Sequence, residues 1–217
     1  MLHRVSFKDQ VYEYLKKAII NGELKTGQIY SEQMFADQLN ISRTPVREAV
    51  LQLKQEHMLD VYNNRGIMVK PLLFADVQQI IQARIAIEGY SVRYLAQRID
   101  TEEGQAALHE MALCLKLEED TENFNVYDFM KSDVEFHGLL IAFTKNEYFA
   151  KTIAMLRSRL EKATLSSLKV KDRTQNALQE HRQLMDAIQS GDGARAYDFF
   201  EHHMTQTEKL MRYCLED

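Results

Sequence analysis

Ile41-Ser42-Arg43-Thr44-Pro45-Val46-Arg47-Glu48-Ala49-Val50 places a helix-start signal, two arginines and an apolar helical stripe in one short stretch. Thr44 is suited to cap a helix, and Pro45 to its first position, where the missing N–H has no partner to lose. Val46, Val50 and Leu53 recur at i, i+4 and i+7 with Ala49 beside them, so one face of this helix packs inward. Arg43 and Arg47 are left at the exposed N-terminal end. A helix offered to the DNA major groove by that end can bond a guanine edge bidentately through an arginine.

The flanking residues fit such a helix. Val11, Leu15, Ala18 and Ile19 mark a first amphipathic helix that ends near Asn21-Gly22. Ser31 caps a second, with Phe35, Ala36 and Leu39 facing inward and Asn40 closing it. The stretch quoted above follows after a tight turn, which is helix-turn-helix spacing. Leu59-Asp60-Val61-Tyr62, Asn63-Asn64-Arg65-Gly66 and Ile67-Met68-Val69 then read as strand, turn and strand. A basic hairpin after a recognition helix is a wing, and Arg65 at its tip can reach the minor groove or a phosphate.

The chain has 217 residues, 45% of them apolar, enough for one large or two modest domains with a real core. Two prolines and eight glycines favour long helices over sandwiches or barrels. Cys114 and Cys214 do not suggest a disulfide framework, so a reduced cytosol is expected. Met1 to Val5 begins no signal peptide, and no apolar run approaches membrane-spanning length, so no membrane association is expected. The net charge of −5 looks wrong for a DNA binder until the chain is divided at Pro71. Residues 1–71 carry 10 Lys+Arg against 8 Asp+Glu, whereas the remainder carries 17 against 24. Phosphate affinity follows the local surface, so a DNA-facing domain at 1–71 and an acidic partner domain at 72–217 are expected.

Asn21-Gly22-Glu23-Leu24-Lys25-Thr26-Gly27, Ser42-Arg43-Thr44-Pro45-Val46-Arg47-Glu48-Ala49 and Arg65-Gly66 together resemble the winged-helix domain of GntR-type bacterial transcription regulators. The likeness runs without gaps over roughly residues 5–71. Thr26 stands where a proline is common, and His57 where the family usually has glycine before the wing. The resemblance implies that Arg43, Thr44 and Arg47 face the groove. Ser42, Gln33 and Arg65 are backbone or wing candidates.

Beyond Pro71-Leu72-Leu73 the pattern is all helix, near 75–98, 101–119, 124–144, 147–169, 174–190 and 193–213. Thr101 and Asp192 sit at expected helix starts. There is no GxGxxG, Walker loop, GxSxG or CxxC, so a conventional enzyme signature is absent. What stands out is a set of polar residues on faces that ought to be apolar. Asp133 and His137 are one turn apart on a stripe with Phe129, Leu140 and Ile141. His181 shares a face with Leu178, Leu184, Met185 and Ile188, and His203 lies near Phe199 and Phe200. An Asp and a His at i, i+4 can chelate one ion, which two further histidines would complete. Read singly, each histidine is more often a satisfied core or surface residue than a ligand, and i, i+4 pairs also arise as salt bridges. Arg84 lies between Ile80, Ile81 and Ile87, either as a counter-charge in a pocket or paired internally with Glu88.

This half is similar to the helical FCD ligand-binding domain of the FadR subfamily. The matching stretches are Asp76 through Arg84 to Glu88, Asp133 to His137, Glu180-His181-Arg182, and Gly191-Asp192 through His203. The resemblance implies a metal site of Asp133, His137, His181 and His203, with one divalent Zn, Ni or Mn per chain. It further implies a small carboxylate effector held by the ion and Arg84, with Arg157 or Arg159 as lesser candidates. His202 and Glu135 are expected to face elsewhere. The fold expected is mostly α: a winged helix-turn-helix followed by an all-helical bundle. The function expected is that of a cytoplasmic, nucleoid-associated homodimer that represses from a palindromic double-stranded DNA operator. Three alternatives stay open: a metal-free domain binding a larger apolar effector such as an acyl thioester, a structural zinc, and a helical metalloenzyme fused to a DNA-binding module. The last would need a base or nucleophile beside the ion.

Overall fold

Helix α1 (Phe7–Ile20) begins where Ser6 accepts a 3.1 Å hydrogen bond from the Asp9 amide, and it ends at Asn21 and Gly22, the latter at φ +74°. The computed structural model describes residues 6–62, 65–119 and 125–216. By packing, the chain divides into two units: residues up to Leu72 together with 155–159, and residues 73–154 together with 160 onward.

In the first unit α1 is followed by strand β1 (Ile29–Tyr30), α2 (Glu32–Gln38), α3 (Arg43–Gln55), β2 (Leu59–Tyr62) and β3 (Gly66–Val69). Ser31 caps α2 by accepting from the Met34 amide at 3.0 Å. The tight turn after α2 is a Schellman closure: Asn40 at φ +52° donates to Asp37, and Ile41 donates to Ala36. That closure puts the extended residue required at a helix start on Ser42, so α3 begins at Arg43. Thr44 is therefore not the cap, and Pro45 is the third helical residue instead of the first. Its missing N–H is still harmless, because the first four amides of a helix lack intrahelical acceptors. Val46, Ala49, Val50 and Leu53 are fully buried, as the stripe predicts.

The three strands form an antiparallel sheet in the order β1-β3-β2, with Ile29 opposite Met68 and Leu59 opposite Val69. Strand β1 was not foreseen. The β2–β3 turn at Asn63-Asn64 lies outside the described residues. Gly66, at φ +122°, lies hard against β1: a Cβ there would stand 2.2 Å from the Tyr30 carbonyl oxygen.

Helix α3 ends in a second Schellman closure, with His57 donating to Lys54 and Met58 to Leu53. His57 adopts φ +58°, a left-handed conformation that costs a side-chain-bearing residue about 1–2 kcal/mol. Replacing His57 by Gly should therefore raise the stability of this unit by about 1 kcal/mol, after the extra chain entropy of glycine is subtracted. A shift of the urea midpoint to higher concentration is the expected readout, and no shift would refute the strain.

The second unit is helical: α4 (Phe74–Ala96), α5 (Glu102–Glu119), α6 (Val126–Phe143), α7 (Glu147–Leu168), α8 (Arg173–Gln189) and α9 (Gly193–Glu216). Segment 155–159 of α7, which carries Arg157 and Arg159, groups with the first unit. Side-chain caps mark the starts except at α8, where Asp172 makes no cap bond. Asp76 accepts from the Leu73 amide, Thr101 from Gly104, Asn125 from Tyr127 and Asp128, and Asp192 from Arg195. Helix α4 packs on α9, α6 and α8, and α5 on α6 and α8. The fold is thus mostly α, a winged helix-turn-helix followed by a helical bundle. Among the described residues no helix is long and apolar enough to cross a membrane.

Candidate metal centre and nucleic-acid interface

In the first unit, the N-terminal half of α3 and the wing border one open cleft of about 690 Å³. Gln33, Arg43, Arg47 and Arg65 all line it. Ser42 and Thr44 are exposed at the adjoining end of α3. The cleft also takes in Lys54, Leu51 and Tyr62, which the sequence reading did not assign; Leu51 and Tyr62 are large apolar residues left 47% and 40% exposed. Arg43 stands 3.6 Å from Glu32, and Gln33 donates to Asp37 at 2.6 Å. A helix N-terminus carrying two arginines, beside a wing arginine, can meet a groove and the phosphates along its edge.

The core of the second unit contains an unusual number of ionisable side chains. Asp133 and His137 come from α6, His181 from α8 and His203 from α9, and all four are buried. One ligand-type atom from each lies within 4.8 Å of the others, a span that a divalent ion with bonds of about 2.0–2.2 Å can draw together. The imidazole rings of His137 and His203 stack at 5.2 Å between centroids, and that of His181 stacks on Phe136 at 4.5 Å. The Nε2 atom of His181 is 3.6 Å from Asp133, too far for a hydrogen bond. That atom and both ring nitrogens of His137 are buried without a hydrogen-bond partner. His202 and Glu135 are exposed, as expected.

Each histidine is backed by a carboxylate. Glu88 Oε2 lies 2.9 Å from His137 Nδ1, though not directed as a hydrogen bond. Glu118 Oε2 is 3.3 Å from His181 Nδ1, and Glu180 Oε2 is 2.6 Å from His203 Nδ1. Arg84 grips Glu88 with two bonds, at 2.7 and 3.0 Å, so the internal pair that the spacing allowed is formed. Arg173 binds Glu180 at 2.8 Å and Thr207 at 3.1 Å.

Burial dominates the protonation of these groups. It lowers His137 and His203 well below the usual imidazole range, aided for His137 by the Arg84 charge and for His203 by His181. It lowers His181 to about 4 against the opposing pull of Asp133. Burial raises Asp133 to about 6, opposed by His181 and Arg84, and raises Glu118 to about 8. Neutral imidazoles keep the lone pairs that a metal ion needs.

Glu118, Glu180 and Arg173 were not singled out from sequence. A signal did exist for Glu118: it continues the buried stripe Leu108, Met111, Leu115 at helical spacing, where an acid is out of place.

Comparison with known proteins agrees with both halves. Residues 7–69 match the family model of bacterial regulatory proteins of the gntR family, and residues 79–206 match the FCD domain. The uncharacterized HTH-type transcriptional regulator YdhC of Bacillus subtilis is 24% identical over 96% of this chain and 92% of its own length. The HTH-type transcriptional repressor RspR of Escherichia coli is 26% identical over 91% of this chain and 83% of its own. The solved structure of E. coli McbR/YncC superposes with a TM-score of 0.77 at 22% identity, covering 97% of this chain and 99% of that one.

Proposed function

Since the chain belongs to the GntR family of bacterial transcription regulators, in the group that carries an FCD domain, we propose that it is a metal-assisted sensor of a small carboxylate. The family consists of DNA-binding regulators and not of enzymes, and some relatives are named repressors. On this reading residues 1–71 bind DNA and residues 72–217 bind the effector and dimerise. Two winged helices of a cytoplasmic homodimer hold the halves of a palindromic operator, through Arg43, Thr44 and Arg47 in the groove and Ser42, Gln33 and Arg65 beside it.

One observation carries the metal reading: four ligand-type side chains converge in the core while His137 and the inner nitrogen of His181 lack partners. A buried polar atom left unpaired costs about 1–3 kcal/mol, which an ion would relieve. Asp133, His137, His181 and His203 would hold one Zn, Ni or Mn per chain, and that ligand set does not choose among them. The ion supplies a positive charge for a carboxylate, with Arg84 as second counter-charge through the N–H groups not spent on Glu88. The effector regulates to the extent that it binds the DNA-competent and DNA-incompetent states unequally.

The test is elemental analysis of tag-free protein purified without chelators. About one divalent ion per chain is expected, with most of it lost in His137→Ala. An empty chain that also refuses metal on reconstitution would overturn the metal reading and shift the effector search to larger apolar ligands.

A further inference from the structure

The three histidine–carboxylate pairs are alike except at one place. Glu88 behind His137 carries the guanidinium of Arg84, and Glu180 behind His203 carries that of Arg173. Among the described residues Glu118 behind His181 carries no guanidinium: the residue is only 2% exposed and its Oε1 is buried with no hydrogen-bond partner. The neighbouring Ser132 hydroxyl has a single proton, and it goes to the Cys114 carbonyl at 2.9 Å. Where the other two pairs have an arginine, Glu118 borders a cavity of about 230 Å³ between α5, α6 and α8.

The cavity has the chemistry of a small cation site. Glu118 is the one acid in the described lining, which holds no basic side chain; burial favours its neutral form, and a bound cation would offset that burial and hold the carboxylate ionised. Phe129 and Leu178 offer apolar and aromatic surface, and Thr174 and Gln175 offer neutral polar groups. We infer that this cavity binds a small N–H-bearing organic cation of the guanidinium or alkylammonium class, which bonds Glu118 as Arg84 and Arg173 bond Glu88 and Glu180. Such a ligand would satisfy the one carboxylate of the three that the fold leaves incomplete. The site stands whether or not the histidine cluster holds a metal.

The test uses the full chain after chelator treatment, so that its result is separate from that of the metal reading. Methylguanidinium chloride is titrated calorimetrically at constant ionic strength, with tetramethylammonium chloride as a cation that has no N–H to donate. Saturable binding of methylguanidinium at millimolar concentration, none of tetramethylammonium, and affinity at least about tenfold weaker in Glu118→Gln are expected. Equal response to the two cations, or an unchanged response in Glu118→Gln, would overturn the proposal. Should Glu118→Gln fail to fold, Leu178→Trp leaves the carboxylate intact and fills the cavity from its wall. That variant is expected to lose methylguanidinium binding, and full binding by it would place the cation elsewhere.

Discussion

Replacing Arg47 by Ala is expected to reduce specific operator affinity by roughly 5- to 150-fold per half-site, with helix content and oligomeric state unchanged. The range is that of one bidentate arginine–guanine contact, about 1–3 kcal/mol. For two well-separated half-sites the losses add in free energy, so the combined effect is about the square of that factor. Arg47 is exposed on the first turns of α3, one turn past Arg43, and both border the cleft that Arg65 closes from the wing. Its removal opens no cavity, because the helix is held by Val46, Ala49, Val50 and Leu53 on the opposite face. The operator can be obtained by selecting random duplexes with the parent chain and then measuring both chains on the winner across a salt series. Arg47→Ala should lose the preference for the selected duplex over random DNA. Lys54→Ala should instead weaken both about equally and flatten the salt slope by about one unit, as a phosphate contact does. Full-strength specific binding by Arg47→Ala would remove α3 from the role of reading helix.

The contrast between these two variants also shows what the sequence discloses. Arg43 and Arg47 were legible because the apolar stripe fixes the helix phase, so the exposed side is known once the buried side is. Lys54 and Tyr62 were not, because their place in the cleft depends on how the hairpin folds back onto α3. Strand β1 is two residues long, too short for alternation to show, and exists through pairing with β3. The cap position of α3 lies two residues before the Thr44 read from sequence, because the closure at Asn40 places the extended residue at Ser42. In the second unit the histidines and Asp133 were legible as polar residues on apolar stripes. Their carboxylate partners were harder to see: Glu118 shares α5 with four exposed glutamates, Glu180 sits in a polar stretch of α8, and only three-dimensional packing selects which acids turn inward.

The second large effect is expected at Glu88, where fold and site are joined. Glu88 receives both bonds of Arg84 and lies against His137, with its side chain fully buried. Glu88→Ala leaves a guanidinium in the core without its partner, and a loss of about 3–5 kcal/mol in stability of the second unit is expected. A buried pair is weak evidence of net stabilisation, since taking both charges out of water is itself costly. The double variant Arg84→Met with Glu88→Leu, which removes the pair and keeps the volume, should therefore recover most of that loss. Denaturant titration followed by helical circular dichroism distinguishes the three chains. A Glu88→Ala chain within about 1 kcal/mol of the parent would show that Arg84 finds another partner. Stability and metal retention should then separate: the double variant folds, yet His137 has lost the carboxylate behind it, and its metal affinity should fall roughly 10- to 100-fold. Retention of full metal affinity by a stable double variant would mean that Glu88 serves Arg84 alone. Loss of metal without loss of stability would instead identify the pair as part of the sensor, kept in the core for the orientation it gives His137.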